Sequence, residues 1–307
     1  MEEILKDTTA GDPITGLKWT RKTQRAMERI LHRKGFMLSD TTIVRLLPDL
    51  GYALHANRKR LTRKHNPDRD RQMRAVIRWR HKFLEAGDPV ISVDTKKREL
   101  IGNFKNPGVT WRRSALAVLE YDFPSQAKGV AIPFGIYDVA RNEGFVMVGI
   151  SHQTPEFAVA AIRRWWLQVG QTHYPTQNRL LIEADCGNPN SNTSDRWKFG
   201  LQQIANEFGL KITVTHLPTG ASKWNPIEHR LFSHISRNWA GQPLVSYETI
   251  LKFIRTTKTD TGLRCQAYLD KRVYFVGWHL TPKQVGQIHL VRHRLLPKWN
   301  YTLKPNS

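Results

Sequence analysis

The sequence predicts an α/β protein, with a mixed sheet flanked by helices and a small helical module ahead of the sheet. Two observations predict this class. Apolar residues recur at helical spacing within the first fifty residues, whereas from about residue 89 they alternate at strand spacing. Beyond that point, strands and amphipathic helices follow one another, which is the element order of a mixed sheet covered by helices.

Residues 1–57 are predicted to form the helical module. The segment "WTRKTQRAMERILHRKG" has helical spacing and ends at Gly35, and "LSDTTIVRLLPDLGY" begins with Ser39 as N-cap and ends before Pro48. Two short helices joined by a tight turn favour a DNA-binding helix-turn-helix, and a plain helical hairpin packed on the larger domain is the alternative. The expected base readers lie at the start of the second helix: Asp40, Thr41, Thr42 and Arg45.

The charge of the chain points to a polyanionic partner. The formal net charge is +22 and the pI is about 10.3, and residues 58–82 alone have 11 basic and 2 acidic side chains. We therefore expect residues 58–88 to be a linker that follows DNA, although a solvated helix face would have the same composition. The expected phosphate contacts in this linker are Arg58, Lys59, Arg60, Arg63 and Lys64.

Other protein classes are disfavoured by the composition. No segment has the roughly 18 consecutive apolar residues of a membrane span, and the N-terminus has no apolar signal core, so we expect a cytoplasmic, nucleoid-associated protein with no membrane partner. The two cysteines, Cys186 and Cys265, are too few for a disulfide framework and are not spaced as a zinc site.

The catalytic domain is predicted to span residues 89–242. Its segments are "PVISVDTKKRELIGNF", two strands joined at Lys96–Arg98; "GVAIPFGIYDVARNEGFVMVGIS", a hairpin; and "TPEFAVAAIRRWWLQVGQ", a helix capped by Thr154. The strand of "NRLLIEADCG", a helix, the strand of "KITVTHLP" and the helix of "NPIEHRLFSHISRNWAG" follow. This order predicts a ribonuclease H-like fold, with a basic C-terminal extension, residues 243–307, packed on it.

Three carboxylates fall where this fold would bring them together. Asp94 and Asp185 close two strands that would be neighbours, and Glu228 lies in the first turn of the last helix. Three acids that converge repel one another unless divalent cations bind them, so two Mg²⁺ ions are expected, for which Mn²⁺ can substitute. Each acid also has a structural explanation: the two aspartates as turn residues, and Glu228 in a capping box with Asn225 as N-cap. Glu183 competes with Asp185, because it shares the same strand face.

Four segments occur in order along the chain: "VISVDTKKRE", "LLIEADCGNPNSN", "LPTGASKWNPIEHRLFSHIS" and "KWNYTLKP". Together they resemble the DDE transposases of bacterial insertion sequences, of the ISAzo type, which is distantly similar to the mariner-like group through "NPIE". The resemblance covers nearly the whole chain. It implies a ribonuclease H-like catalytic domain, two magnesium ions and DNA ends as substrate. Carried over by position, it implies a triad of Asp94, Asp185 and Glu228, with 42 residues between the last two.

The predicted function is a transposase that binds the terminal repeats of its element, cleaves a strand and transfers it to target DNA, as a homodimer or higher oligomer. Two alternatives stay open: a catalytically silent or domesticated DNA-binding protein, and a structure-selective nuclease of the same fold. Lys96 and Lys97, with Arg98, are expected phosphate contacts, and a solvated turn is the alternative. Trp224, in the loop before Glu228, is the expected base-stacking side chain, ahead of Trp111, Trp165 and Trp166.

Overall fold

The computed structural model describes residues 9–11, 18–20, 23–53, 66–221 and 224–306. The chain is divided into two compact units, Met1–Arg63 and Lys64–Ser307. In the described ranges, no helix is both long and apolar enough to cross a membrane.

Within its described residues, the first unit contains two short strands and two helices. Strands β1 (Thr9–Gly11) and β2 (Lys18–Thr20) pair antiparallel, and helices α1 (Gln24–Arg33) and α2 (Asp40–Asp49) follow. These strands were not predicted from the sequence, because three residues are too few for an alternating pattern to be recognised.

The two predicted helices of this unit are present and pack through Met27, Leu31 and Ile43. Ser39 is the N-cap of α2, as predicted, and its hydroxyl accepts the backbone N–H of Thr42. The prediction that this helix ends before Pro48 is wrong by two residues. A proline in the last turn removes only one N–H, so the helix continues to Asp49.

The second unit begins with helix α3 (Arg69–Glu85), which packs on the sheet with Val76 and Phe83 buried. Much of the segment predicted as linker is therefore helix, with the exposed arginines Arg71, Arg74 and Arg78 on its outer face. Residues 58–65 of that segment lie outside the described residues.

The remaining strands of this unit are β3 (Val90–Thr95), β4 (Glu99–Ile101), β5 (Gly129–Asp138), β6 (Glu143–Gly149), β7 (Arg179–Ala184), β8 (Lys211–His216), β9 (Arg264–Asp270), β10 (Leu290–Arg292) and β11 (Asn300–Leu303). Its other helices are α4 (Pro155–Trp165), α5 (Asp195–Phe208), α6 (Ser233–Asn238), α7 (Tyr247–Arg255) and α8 (Pro282–Gly286). Helix α4 continues through a π-helical turn, Trp166–Gly170, into a last helical turn, Gln171–His173. Helix α6 continues a π-helical turn, Glu228–Phe232, and this whole helix covers residues 226–238.

One nine-stranded sheet organises the unit. Its strands lie in the order β10-β11-β8-β7-β3-β5-β6-β9, and β4 pairs with β5. The five central strands, β6-β5-β3-β7-β8, have β3, β7 and β8 parallel and β5 antiparallel to β3 and β6. This is the predicted ribonuclease H-like fold, with β3 and β7 as neighbours. Strands from 243–307 extend the sheet at both ends, β9 beside β6 and β11 beside β8.

Strand β4 departs from the prediction. It was expected to fold back on β3, but it pairs with β5, with Leu100 opposite Val130. Both edges of β3 are already occupied, by β5 and β7. The first residues of the ten-residue β5 extend beyond the end of β3, so their free edge receives β4 instead.

The core lies on both faces of the sheet, because side chains alternate along its strands. From β5, Phe134 packs with Trp165 of α4 and Trp197 of α5 on one face. Tyr137 packs on the other face with residues of helix 226–238 and of α7. Trp165 and Trp166 are both buried, so neither is free to stack on a base.

Candidate active site

The parallel pairing of β3 and β7 places two aspartates at one edge of the sheet. The last residue pair between these strands is Val93 opposite Ala184. Asp94 and Asp185 each come directly after that pair, so both lie at the carboxyl ends of adjacent parallel strands. Loops that follow such strand ends are where α/β sheets place their ligand-binding residues.

Glu228 reaches the same edge because its helix lies close on the sheet. Gly135 of β5 is opposite Asp94, and a Cβ at position 135 would lie 2.5 Å from Cε1 of Phe232 and 2.9 Å from Cδ1 of Ile227. Real Cβ atoms do not approach other atoms so closely. A glycine at this position therefore allows helix 226–238 to pack against β5, with Glu228 in its first turn.

The three carboxylates affect one another electrostatically. Burial and the neighbouring charges of Asp185 and Glu228 together raise the pKa of Asp94 to about 8, against the opposing hydrogen bonds from the Thr95 N–H and Asn225. An Asp carboxyl in water has a pKa near 3.9, so the site disfavours the charged form when no cation is present.

The other two acids have raised pKa values for the same main reason. Burial raises the pKa of Asp185, opposed by hydrogen bonds from the Gly187 N–H and the Asn190 amide. A Cβ at position 187 would lie 2.6 Å from Asp185 Oδ2, so a side chain there would displace the Asp185 carboxylate. Burial also raises the pKa of Glu228, and the charge of Lys96 opposes it.

Asn225 connects Asp94 to the residues before the helix that holds Glu228. Its Nδ2 donates to Asp94 Oδ2 at 2.9 Å, and its Oδ1 accepts the Ser92 hydroxyl at 2.7 Å. Asn225 was predicted to be the N-cap of this helix. It lies directly before the first helical residue, but its side chain forms these two hydrogen bonds with Asp94 and Ser92. The Asn225 backbone carbonyl accepts the Glu228 N–H at 3.2 Å. Because an ionised carboxylate can only accept, the nitrogen end of the amide faces Asp94, and its oxygen end accepts from the Ser92 hydroxyl.

A buried hydrogen-bond chain holds the backbone of Asp185. His216 is bonded through Nδ1 to the Asp185 carbonyl at 2.8 Å and through Nε2 to the Tyr301 hydroxyl at 3.2 Å. A carbonyl can only accept, so Nδ1 has the proton and Nε2 accepts from Tyr301. The Tyr301 oxygen in turn accepts the Trp197 indole N–H at 3.1 Å.

Glu183 does not belong to the site. It is fully buried, and both of its oxygens accept from the Arg80 guanidinium of α3, at 2.8 and 2.6 Å. This bidentate pair joins α3 to β7. The competing assignment of Glu183 in place of Asp185 therefore loses its structural basis, because this carboxylate is fully buried and its charge is balanced by arginine.

The donor set fits a hard divalent cation, although the described residues do not form a finished metal cage. Among them, no three His, Cys, Asp or Glu side chains are grouped so that they could hold a metal ion. Each Asp94 oxygen accepts one hydrogen bond, from Thr95 or Asn225, and a carboxylate oxygen has a second lone pair. Mg²⁺ prefers one or two carboxylates together with water and phosphate oxygens, which this set can supply.

A groove runs beside Glu228. Its volume is about 520 Å³, and its lining includes Lys96, Lys97, His229 and Ser233. Lys97 is exposed, whereas the ammonium of Lys96 lies 2.9 Å from a Glu99 oxygen and 4.5 Å from the centre of the Trp239 ring. Of the two lysines predicted to contact phosphate, Lys97 is thus the more accessible.

The structure describes only some of the other predicted DNA contacts. Trp224 is 47% exposed, and the Arg69 guanidinium lies 5.1 Å from the centre of its ring. Thr41, Thr42 and Arg45 are on α2 of the first unit. The predicted linker contacts, Arg58, Lys59, Arg60, Arg63 and Lys64, lie outside the described residues.

Two polar residues at the site were missed by sequence reasoning. Ser92 precedes Asp94 by two residues in β3, which is a signal that it faces the same side of the sheet. Asn190 is fully buried, with Nδ2 3.5 Å from Asp185 Oδ1. It lies within "CGNPNSN", which has three asparagines, and the sequence does not show which of them contacts Asp185.

Comparisons with known proteins identify the family. A family model described as the Rhodopirellula transposase DDE domain matches residues 1–305. Among solved structures, the chain is similar to the Mos1 transposase paired-end complex with the left transposon end (13% identity, TM-score 0.44) and to the Mos1 mariner paired-end complex with Mn (14% identity, TM-score 0.45). Each match covers 76% of this chain and 65% of the Mos1 chain, so the chain spans slightly less than two thirds of its length. The comparison with curated protein sequences gave no match. With its family model matched over nearly its full length, the chain belongs to the DDE transposases.

Proposed function

We propose that this protein is an active transposase that binds the terminal repeats of its element and catalyses metal-dependent DNA strand cleavage and strand transfer. Its membership of the DDE transposases supports the reaction class. Asp94, Asp185 and Glu228 are the proposed catalytic carboxylates. The observation that carries the proposal is geometric: Asp94 and Asp185 follow the last residue pair of two adjacent parallel strands, and Glu228 is close enough for its charge to affect Asp94.

The reaction has two displacements at phosphorus. In the first, water attacks a phosphodiester, the bond from phosphorus to the 3′ oxygen breaks, and the products are a 3′-hydroxyl and a 5′-phosphate. In the second, that 3′-hydroxyl attacks a target phosphodiester and displaces its 3′ oxygen, so one strand is joined as another is cut. Two divalent ions bound to the carboxylates would activate the attacking oxygen and stabilise the leaving oxygen.

The residues around the carboxylates have supporting roles in this proposal. Thr95 and Asn225 each hold one oxygen of Asp94, which fixes the plane of the carboxylate. His216 holds the backbone of Asp185 through its carbonyl. Lys97, exposed in the groove beside Glu228, is available to a DNA phosphate.

DNA recognition is assigned to the first unit. Helices α1 and α2 form a two-helix cluster, which supports the helix-turn-helix proposal, with Thr41, Thr42 and Arg45 at or near the start of α2 as base readers. Thr42 is partly occupied, because its hydroxyl lies 3.0 Å from the Ser39 hydroxyl. Arg45 is exposed and is the first residue to test. The DNA-bound form is proposed to be a homodimer or higher oligomer that acts on the nucleoid.

The proposal is tested by incubating the purified protein with labelled DNA of the element's ends and a target plasmid, in Mg²⁺, in Mn²⁺ and in EDTA. Nicked ends and joined products should form with either metal and be absent in EDTA. Asp94→Asn, Asp185→Asn and Glu228→Gln should each abolish both products while binding to the ends remains. Glu207→Gln, at an exposed acid paired with Arg163, is the matched control and should retain both products.

Each alternative function gives a different result in the same assay. Binding to the ends with no product in either metal would indicate a silent DNA-binding protein. Cleavage of branched or looped DNA with no preference for the element's ends would indicate a structure-selective nuclease. Near-wild-type joining by any one of the three triad variants would remove that residue from the proposed site.

A further inference from the structure

An irregular segment after β9, residues 271–281, exposes a group of large apolar side chains; we refer to it as the strap. Phe275 is 72% exposed, Val276 62%, Val273 60% and Trp278 38%. Isolated exposed apolar residues are ordinary, but four within six residues form a patch of the kind that marks a binding surface.

The first half of the strap is fixed to the sheet edge through Tyr274. The Tyr274 backbone N–H donates to the Ser151 hydroxyl at 3.0 Å, and its own hydroxyl donates to Asp270 at 2.7 Å. Its carbonyl lies 3.0 Å from His152 Nδ1. Three hydrogen bonds therefore hold Tyr274 in place, and the side chain of the next residue, Phe275, is largely exposed.

Arg196, in the first turn of α5, fixes the second half. Its guanidinium donates to the backbone carbonyls of Phe275 at 3.3 Å and Trp278 at 3.4 Å, and its carbon lies 4.5 Å from the centre of the Trp278 ring. Both oxygens of Glu156 hold the same guanidinium in place, at 2.7 and 2.6 Å. Arginine therefore supports the Trp278 ring from one side, and the rest of the ring remains accessible.

The strap lies at the same edge of the sheet as the carboxylates. Strands β3, β6, β7 and β9 all end at this edge, and the last pair between β6 and β9 is Gly149 opposite Asp270. Strand β9 is three strand spacings from β3, which is roughly 14 Å. The side chains of Gln153 and Asn188 bond to each other's backbone carbonyls, which links the loop after β6 to the loop after Asp185.

The charge around the strap indicates which class of ligand it binds. From Lys271 to the C-terminus the chain has seven Lys and Arg residues and no Asp or Glu. A second copy of this chain, with its own net charge of +22, would bring like charges together there. Exposed aromatic rings on a cationic surface are the combination that binds single-stranded nucleic acid, because unpaired bases offer their faces for stacking. Paired bases within a duplex do not offer those faces.

We propose that the strap is a stacking platform for the bases of an unpaired DNA strand beside the catalytic edge, with Phe275 and Trp278 as the stacking side chains. Its occupant would be the few nucleotides next to the reacting phosphate that leave the duplex. This inference rests on the proposed function, because it takes DNA as the ligand, and it adds a base-binding site to a surface otherwise expected to contact only phosphates.

The test measures binding of the full chain to a short single-stranded oligonucleotide and to a duplex of the same sequence, with 2-aminopurine at the end of each. Phe275→Ala should weaken single-strand binding by about 5- to 100-fold, the range of one lost base stack, and leave duplex binding unchanged. Phe275→Trp should retain single-strand binding and the quenching of 2-aminopurine. Phe275→Leu, apolar but without a ring, should lose the quenching. Phe123→Ala is the matched control at an aromatic that is 54% exposed elsewhere, and it should change nothing.

The outcomes separate the two proposals. If the wild-type chain binds neither DNA, the proposed function fails and the strap inference fails with it. If the wild-type chain binds and cleaves element ends but Phe275→Ala binds single strands as well as wild type does, the strap inference alone is overturned. A change in sedimentation from dimer to monomer in Phe275→Ala, with single-strand affinity unaltered, would also overturn it by making the strap a self-association surface.

Discussion

At the scale of single residues, the arrangement around Asp94 shows how one amide can serve a buried carboxylate. Asn225 donates to Asp94 and is itself oriented by the Ser92 hydroxyl, so two polar side chains are committed to holding one acid. Asn225 is fully buried, and its position directly before helix 226–238 couples the geometry of Asp94 to the start of that helix. Partners of this kind orient metal-binding carboxylates in proteins.

Asn225→Ala should therefore reduce the cleavage activity of the protein that remains folded, in addition to lowering its stability. Loss of the buried amide removes the partner of Asp94 Oδ2 and of the Ser92 hydroxyl and should cost about 1–3 kcal/mol in unfolding free energy. Strand cleavage should fall by about 10- to 100-fold, with a higher Mg²⁺ concentration needed for half-maximal rate. Chemical denaturation and a Mg²⁺ titration of cleavage provide the two measurements.

Asn192→Ala is the control for this prediction, because its side chain donates to the Lys298 carbonyl and to neither acid of the site. It should leave the Mg²⁺ dependence as in wild type. Equal Mg²⁺ dependence in Asn225→Ala and wild type would show that the amide has only a structural role.

At the scale of elements, the position of Glu228 depends on how closely its helix lies on β5. Gly135 is the contact point, opposite Asp94 and beneath Phe232 and Ile227. Because a protein interior is close-packed and has few voids, extra volume at this contact displaces the neighbouring residues. A change at this glycine should therefore move Glu228 relative to the two aspartates without touching any of the three.

Gly135→Ala should push helix 226–238 away from the sheet. Overpacking of this kind costs about 1–3 kcal/mol, and cleavage should fall well beyond the fraction of protein that unfolds. Gly286→Ala is the control, since a Cβ there meets nothing within 4 Å and the backbone is not left-handed. Thermal unfolding and single-turnover cleavage are measured together. Full activity in a folded Gly135→Ala protein would contradict the proposed dependence on helix position.

The hydrogen-bond chain at the end of β8 predicts a pH dependence of stability. Burial lowers the pKa of His216 to about 4, so the folded state keeps this ring neutral. Its folded-state pKa lies below the unfolded value near 6.5, and the stability it contributes is complete above pH 6.5 and declines as the pH falls towards 4. The loss should reach about 3 kcal/mol at pH 4, since each pKa unit corresponds to about 1.4 kcal/mol.

His216→Gln should lack this part of the acid destabilisation, which denaturant unfolding between pH 7 and pH 4 would measure. His279→Gln, at an exposed histidine, should follow the wild-type curve. The same pH dependence in His216→Gln and wild type would mean that this ring does not stay neutral in the folded protein.

The sequence allowed the order of elements and the three acids to be predicted because both follow from local pattern. A strand that ends in an aspartate, and a helix that starts at "NPIE", can be recognised from the local sequence alone, without knowing which elements pack against them. The partner of β4 and the exclusion of Glu183 depend on which strand edges are free and on where α3 lies, which are non-local facts. Asn225 was predicted as a cap for the same reason: its local spacing fits a cap, and only the sheet brings Asp94 within reach of its amide.

At the scale of the whole molecule, charge is distributed unevenly along the chain. Residues 1–88 have 20 basic and 11 acidic side chains and residues 229–307 have 13 and 3, while the stretch between them has 15 and 12. The acids of the proposed site thus lie in the most neutral third, flanked by basic segments. A polyanion would be attracted by the flanks and would meet the carboxylates between them.

Binding to element ends should therefore weaken steeply as salt rises. If the segment from Arg58 to Lys82 follows the DNA backbone, changing four of its basic residues to Gln should reduce the slope of log affinity against log salt by about 3 to 4. The four to change are Arg58, Lys59, Arg74 and Arg78, of which the last two are exposed on α3.

The control for this prediction removes the same charge elsewhere, at four exposed positions: Lys211, Arg237, Lys252 and Lys258. That variant should change the slope by less than one unit. Equal changes in the two variants would indicate a general effect of net charge, and no change in either would place the basic segment on a solvated surface.

The central claim is that Asp94, Asp185 and Glu228 together hold the catalytic cations, and Mn²⁺ binding followed by electron paramagnetic resonance on the complex with an element end tests it most directly. Wild-type protein should bind two Mn²⁺ ions per chain. Asp94→Asn, Asp185→Asn and Glu228→Gln should each lose an ion or bind at least about tenfold more weakly, while Glu207→Gln binds as wild type does. Two ions bound with unchanged affinity in a folded variant carrying all three triad substitutions would contradict the claim.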